Sequence, residues 1–186
     1  LHAALPTSPP LRWVVLRSPL AFVFFFSFKI QSMSAASAQM TFWIFCAVMG
    51  LSLASVFLVF TGASIARTFF IAATMFGATS LYGYVTKRDL TKLGSFMIMG
   101  LIGVMIASIV NIFLGSSALQ FAVSVIGIIV FLGLTMWDTQ NIKEQYAENF
   151  DQESQQKMAV MGALSLYLNF VNIFQLLLNF TGQREE

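Results

Sequence analysis

A few polar side chains interrupt the long apolar runs of this sequence, and they are the residues best suited to chemistry. Asp138 follows directly on an apolar run, Asn169 and Asn172 lie inside the last one, and Lys29 ends the first. Asn172 comes three residues after Asn169, so the two amides share one helix face. Carboxylate and amide oxygens are the ligands that calcium prefers. The pattern therefore permits a weak cation site at Asp138.

Each of these residues also has a plain structural interpretation, which the sequence leaves open. Asp138 could end its helix at the membrane surface, where water solvates a carboxylate. The amides of Asn169 and Asn172 could hydrogen-bond to neighbouring helices, for about 0.6 to 2 kcal/mol each. Lys29 could extend its ammonium from a buried stem to the interface.

The apolar runs that hold these residues predict an all-α fold, a polytopic bundle of transmembrane helices. Hydrophobic residues make up 58% of the 186-residue chain and charged residues 10%, with a mean hydropathy of +0.79. A soluble domain carries about 25% charged residues. A spanning helix needs about 20 apolar residues, whereas barrel strands are about half as long and alternate in polarity. We predict one integral-membrane domain over residues 1–186, with six spans near 11–30, 40–60, 66–85, 93–114, 118–138 and 158–180.

The connections between the predicted spans alternate in charge. Loop 86–92 holds three basic residues, and 139–157 holds two lysines among several acids, whereas 61–65 and 115–117 have no charge. Basic loops face the cytoplasm. The first, third and fifth loops are thus predicted to lie inside and both ends of the chain outside. One further helix before residue 1 would place the N-terminus in the cytoplasm, as is usual, and would bring the number of helices to seven.

Several functional classes are excluded or disfavoured by residue type alone. The net charge of +2 comes from scattered bases, so nucleic acid is not an expected partner. Cys46 and His2 are the only cysteine and histidine, too few for a Cys/His zinc site. The stretch 50–53 matches the GxSx pattern of intramembrane serine proteases, but His2 lies in the leading segment and no base is available beside Ser52. We expect no enzymatic activity and no tightly held cofactor, with calcium at most a transient ligand.

Glycines recur at helical spacing in the third and fourth predicted spans. Gly77 and Gly83 mark the third span, and Gly94, Gly100 and Gly103 mark the fourth. Lipid offers helices little hydrophobic reason to associate, so close backbone approach at small residues matters. These positions predict tight helix packing rather than a binding site.

Four stretches carry a resemblance to a known family. They are GATSLYGYVTKRDL at 77–90, MGLIG at 99–103, WDTQ at 137–140 and ALSLYLNFVNIF at 163–174. In this order and spacing they closely resemble the signature of the Bax inhibitor-1 family, including its bacterial members. The resemblance extends over almost the whole chain.

The resemblance implies a seven-helix fold with a central last helix, and a chain that begins at the second helix. It implies a multi-pass protein of the bacterial cytoplasmic (inner) membrane. Members of the family are associated with a pH-regulated calcium leak. Others act through protein partners, suppressing cell death in eukaryotes or modulating a membrane protease in bacteria.

Only some of the functional residues proposed for the family are matched in this sequence. Asp138 matches the first of two aspartates proposed to share protons and switch the leak, whereas the second position is Asn169 here. Lys29 falls near the basic residue proposed as their latch partner. Two neighbouring carboxylates titrate as a coupled pair, and an amide cannot ionise. We therefore expect a weaker or displaced pH response.

Two functions stay open at this point. The first is a calcium or cation leak, with Asp138 as the charged lining residue and Asn169 and Asn172 as neutral oxygen ligands. The second is a non-conducting regulator that binds another membrane protein, such as a membrane protease, through the polar segment 139–157. Flux in pure liposomes favours the first function, and co-purification of a partner favours the second.

Overall fold

The fold of the chain is a set of long helices, seen in a computed structural model that describes residues 28–54, 56, 60–147 and 151–182. In these residues a short 3₁₀ turn, Ile30–Ser32, precedes five helices, each long and apolar enough to cross a membrane. The all-helical transmembrane architecture is thereby confirmed. The predicted span at 11–30 lies almost wholly outside the described residues. The five helices are α1 (Ala35–Leu53), α2 (Gly62–Val85), α3 (Thr91–Leu114), α4 (Ser117–Ala147) and α5 (Gln152–Thr181).

Uncharged capping residues start two helices earlier than hydropathy alone predicts. The hydroxyl of Ser34 accepts a hydrogen bond from the N–H of Ser37 at 3.3 Å, and that of Thr61 accepts one from the N–H of Ser64, also at 3.3 Å. Each satisfies a backbone donor that the first helical turn would otherwise leave unpaired. The segments expected to be loops at 35–39 and 62–65 are therefore helical.

The prediction of a polar loop at 139–157 is wrong for most of these residues. Helix α4 continues to Ala147, and α5 starts at Gln152, where the carboxylate of Asp151 accepts the N–H of Ser154 at 3.0 Å. The apolar run ends at Asp138, but the glutamine, lysine and glutamate residues that follow are good helix formers. At 31 residues α4 is about 46 Å long, against about 30 Å of hydrocarbon, so its last turns project beyond the membrane core.

The described residues fall into two compact units: 28–54, 56 and 151–160 form the first, and 60–147 and 161–182 form the second. In the second unit α4 packs against α2 and α3. Its core is an apolar cluster from α2, α4 and α5: Ala72, Ile128, Val130, Phe131, Leu134, Ile173 and Leu177. More of α4 is buried than of α5, the last helix, which the resemblance predicts to be central. The single membrane domain stays a prediction.

The turn between α3 and α4 is closed by one asparagine. Asn111 is 9% exposed; its Nδ2 donates to Oε1 of Gln120, and its Oδ1 accepts the N–H of Ser116, both at 3.0 Å. Gly115 has a φ of +59°, which glycine adopts without a steric penalty. Asn111 therefore holds two helix ends together.

Two glycines of α2 allow a matched test of helix packing. A Cβ at Gly83 would collide with the backbone oxygen of Met136 on α4, whereas a Cβ at Gly77 would meet nothing within 4 Å. We expect Gly83→Ala to destabilise the fold by about 1–3 kcal/mol, since overpacking forces two backbones apart. Gly77→Ala should be neutral or stabilising, because alanine is the better helix former by about 1 kcal/mol. Thermal unfolding in detergent measures both, and equal midpoints would contradict the packing of α2 on α4.

Candidate functional site

Asp138 lies on α4 and is held by two side chains of α5. Its Oδ2 accepts a hydrogen bond from Oγ of Ser165 at 2.5 Å and another from Nδ2 of Asn169 at 2.7 Å. Ser165 and Asn169 are four residues apart, so one face of α5 presents both donors. Hydrogen bonds to an ionised acceptor are the stronger kind, and here they offset part of the cost of a charge at membrane depth.

The two carboxylate oxygens of Asp138 differ in the hydrogen bonds that they accept. Within the described residues, Oδ1 accepts no hydrogen bond, and Asp138 has no ion-pair partner. Asp138 is partly buried, and Asn169 is only 5% exposed. The site is thus one carboxylate with one oxygen held and the other available to a ligand. The described residues contain no cluster of three or more His, Cys, Asp or Glu that could hold a metal ion.

The predicted site residues are brought together only in part. Asp138 and Asn169 are in direct contact, but Asn169 turns its nitrogen toward the carboxylate, so only its Oδ1 could serve a cation. Nδ2 of Asn172 donates to the carbonyl of Leu168 at 2.7 Å, within its own helix. Lys29 is exposed and precedes the 3₁₀ turn in the first unit, where its carbonyl accepts from Oγ of Ser32 at 2.9 Å. The pathway role of all four residues stays a prediction.

Ser165 is a site residue that the sequence interpretation missed. A serine in an apolar helix is usually a small packing residue, and nothing in its type singles it out. The available signal was its spacing, four residues before Asn169, which puts it on the same face as the amide. Its bond to Asp138 depends on how α4 meets α5, which hydropathy does not specify.

The four residues 137–140 point in different directions, because successive side chains on a helix are about 100° apart. The indole of Trp137 lies against Gly94 on α3, where a Cβ would collide with the ring. Asp138 faces α5. The hydroxyl of Thr139 is 3.0 Å from that of Ser80 on α2. This short stretch therefore connects α4 to the other three helices of the second unit.

The last of the four residues, Gln140, holds the connection between α2 and α3. It is 7% exposed; its Oε1 accepts the N–H of Leu90, and its Nε2 donates to the carbonyl of Arg88, both at 2.8 Å. One turn further along α4, Nζ of Lys143 donates to the carbonyl of Tyr84 at 2.8 Å and lies 5.0 Å from the centre of its ring. Three backbone groups of 84–90 are thus held by the extension of α4.

We expect Gln140→Leu to loosen the connection between α2 and α3. The change leaves the N–H of Leu90 and the carbonyl of Arg88 without their partner, at about 1–3 kcal/mol for a buried group left unpaired. Limited trypsin digestion should cut faster after Lys87 and Arg88, with the exposed Glu144→Gln as the control on the same helix. Unchanged cleavage would mean that the glutamine does not hold this segment.

Comparison with known proteins places the chain in a family. The family model Bax1-I, described as inhibitor of apoptosis-promoting Bax1, matches residues 1–186. The chain belongs to the Bax inhibitor-1 family. It is 49% identical to a Rickettsia prowazekii protein, over 93% of this chain and 73% of the relative. It is 48% identical to the inner membrane protein YbhL of Escherichia coli, over 89% of this chain and 71% of the relative. A membrane protein of Streptococcus pyogenes is 37% identical, over 77% of this chain and 62% of the relative.

The expected family and multi-pass membrane location are therefore confirmed. The name of the E. coli relative places that protein in the inner membrane, in agreement with the location predicted here. In this Bax inhibitor-1 protein, Asp138 of the stretch WDTQ at 137–140 and the asparagine at 169 meet at 2.7 Å. The site is therefore a carboxylate–amide pair.

Proposed function

We propose that this Bax inhibitor-1 protein is a pH-influenced leak pathway for calcium or similar cations, with Asp138 as its charged lining residue. The observation that carries the proposal is the geometry of Asp138, a carboxylate in a membrane helix with one oxygen bound by Ser165 and Asn169 and no cation beside it in the described residues. Ionisable groups in such helices are costly and tend to mark ion pathways.

The small number of oxygen ligands at the site favours passage of a cation over tight binding. Calcium takes six to eight oxygen ligands in tight sites. Asp138 offers one available oxygen, and Asn169 can add only its amide oxygen. Weak binding of this kind lets an ion leave again, as conduction requires.

The pH influence follows from the charge of the same residue. Protonation of Asp138 removes the negative charge that attracts a cation, so the leak should fall as the solution becomes more acidic. Asn169 cannot take up a proton, so the site titrates as a single group. The response to pH should therefore be shallow, extending over about two pH units.

Calcium uptake by proteoliposomes tests the proposal. The full-length protein is reconstituted into pure lipid, a calcium-sensitive dye is enclosed, and the initial rate is compared with that of empty liposomes at acidic and alkaline pH. The proposal expects a protein-dependent rate that is higher at alkaline pH. A rate equal to that of empty liposomes at every pH would exclude the leak and turn attention to the alternative, a non-conducting regulator of another membrane protein.

The polar segment 139–157, which the sequence predicts as the contact of such a regulator, already makes contacts within the chain. Lys143 is bound to Tyr84, and Lys157 pairs with Glu153 at 3.3 Å. Capture of a membrane protease by the intact protein, with no flux in liposomes, would favour the regulator.

A further inference from the structure

A basic surface lies where α2, α3 and the extension of α4 meet. Lys87 and Arg88 are exposed in the connection between α2 and α3, Lys92 is exposed in the first turn of α3, and Lys143 is exposed on α4. Nζ of Lys143 reaches the carbonyl of Tyr84 at 2.8 Å, so the cation from α4 lies at the end of α2, where the connection to α3 begins. These four cationic residues form the basic surface.

The negative charges near the basic surface do not cancel it. Asp89 and Glu144 are the carboxylates nearest in sequence, against four cations. Hydrogen bonds from the side chain and backbone of Thr91 hold the pKa of Asp89 below its usual range, and the Asp89 carboxylate is directed to the N–H of Thr91 at 2.8 Å. Lys143 uses one of its three N–H donors on Tyr84, so two are left for a ligand. A net positive surface with donors to spare is suited to phosphate.

The basic surface also lies at the depth of lipid headgroups. Tyr82 and Tyr84 in the last turn of α2 and Tyr146 near the end of α4 are 45%, 55% and 79% exposed, and tyrosines concentrate at the boundary between membrane and water. Leu81 and Val85, also in the last turns of α2, are 62% and 59% exposed, as expected for side chains covered by acyl chains.

The basic surface is pre-organised. The two hydrogen bonds of Gln140 fix the backbone at Arg88 and Leu90, so binding a ligand need not first order the segment. A pre-ordered site loses less entropy on binding than a flexible basic loop would.

We propose that the basic surface binds the phosphate headgroup of an anionic phospholipid, with Lys87, Arg88, Lys92 and Lys143 as its cationic contacts. Anionic lipids attract basic residues at the cytoplasmic face, by about fivefold in affinity for each lysine or arginine near the surface. This lipid site is independent of conduction through Asp138.

Native mass spectrometry of the full-length protein, with phosphatidylglycerol or phosphatidylcholine added to the detergent, tests the proposal. We expect the intact chain to bind phosphatidylglycerol preferentially. The double change Lys87→Gln and Arg88→Gln should weaken that binding on the order of tenfold or more. Lys157→Gln removes a cation that is paired with Glu153 on α5 and should have no effect. Gln140→Leu keeps every cation but frees the segment, and it should weaken the binding by a smaller factor.

Circular dichroism and competition by inorganic phosphate complete the test. Circular dichroism shows whether each variant keeps its helices, and only variants that do are compared. Equal binding of both lipids, or unchanged phosphatidylglycerol binding in the double variant, would overturn the proposal. Displacement of the lipid by millimolar inorganic phosphate would overturn it as well, because the surface would then be a site for the free anion.

Discussion

Calcium flux through the reconstituted protein should fall by about tenfold or more when Asp138 is replaced by asparagine, since losing about 1.4 kcal/mol of cation stabilisation already changes a rate or affinity tenfold. The replacement has nearly the same shape, and its amide oxygen can still accept from Ser165 and Asn169. The charge is lost and the packing is kept, so the effect on flux should greatly exceed any effect on unfolding.

Two matched variants complete the test of Asp138. Asp138→Glu keeps the charge and should retain a measurable flux. Glu144→Gln removes an exposed carboxylate six residues further along the same helix and should leave the flux unchanged. A normal flux in Asp138→Asn would remove the carboxylate from the pathway, and an equal loss in Glu144→Gln would point to a general effect of surface charge.

The second large effect, on the pH dependence of calcium flux, is expected from Asn169→Asp. Nδ2 of Asn169 is 2.7 Å from Oδ2 of Asp138, so the variant would place two carboxylates in direct contact. Like charges at this distance cannot both ionise freely; they share a proton and lose their protons in two coupled steps. Flux should therefore change more steeply with pH than in the natural chain, and the pH at half-maximal flux should move.

Asn172→Asp is the matched control for this pH experiment. Asn172 lies three residues further along α5, but its side chain bonds to the carbonyl of Leu168 and not to Asp138. A carboxylate there adds the same charge to the same helix without the contact. Flux measured from pH 5 to pH 9 should steepen for Asn169→Asp alone. Identical profiles for both variants and the natural chain would contradict the coupling.

The sequence predicted where the described spans lie and where α2 and α3 end, but not where α4 ends. Hydropathy reports which residues prefer lipid, and Val85 and Leu114 end their helices at the residues predicted. The same measure stops at Asp138, whereas α4 runs nine residues further, to Ala147. Gln140 explains the difference, because a polar residue beyond the membrane can still be buried when it satisfies backbone groups of a neighbouring connection.

The sequence identifies the charged residue of the candidate site but does not predict which side chains bond to it. A carboxylate beside an apolar run is rare enough to be noticed, so Asp138 stood out, and the family resemblance pointed to Asn169. The orientation of each side chain depends on helix rotation, which sequence spacing fixes only within one helix. Asn172 shares a face with Asn169 by spacing, yet it bonds within α5, whereas Ser165 reaches Asp138.

Access of a charged thiol reagent to the Asp138 site tests the central claim most directly. Cys46 is the only cysteine of the 186 residues, so Cys46→Ser combined with Ser165→Cys leaves a single thiol among them, beside an intact Asp138. If Asp138 lines a water-filled cation path, a cationic methanethiosulfonate should react faster than its anionic counterpart and block calcium flux. Reaction at equal rates with both reagents, or full modification with flux unchanged, would show that cations do not pass Asp138.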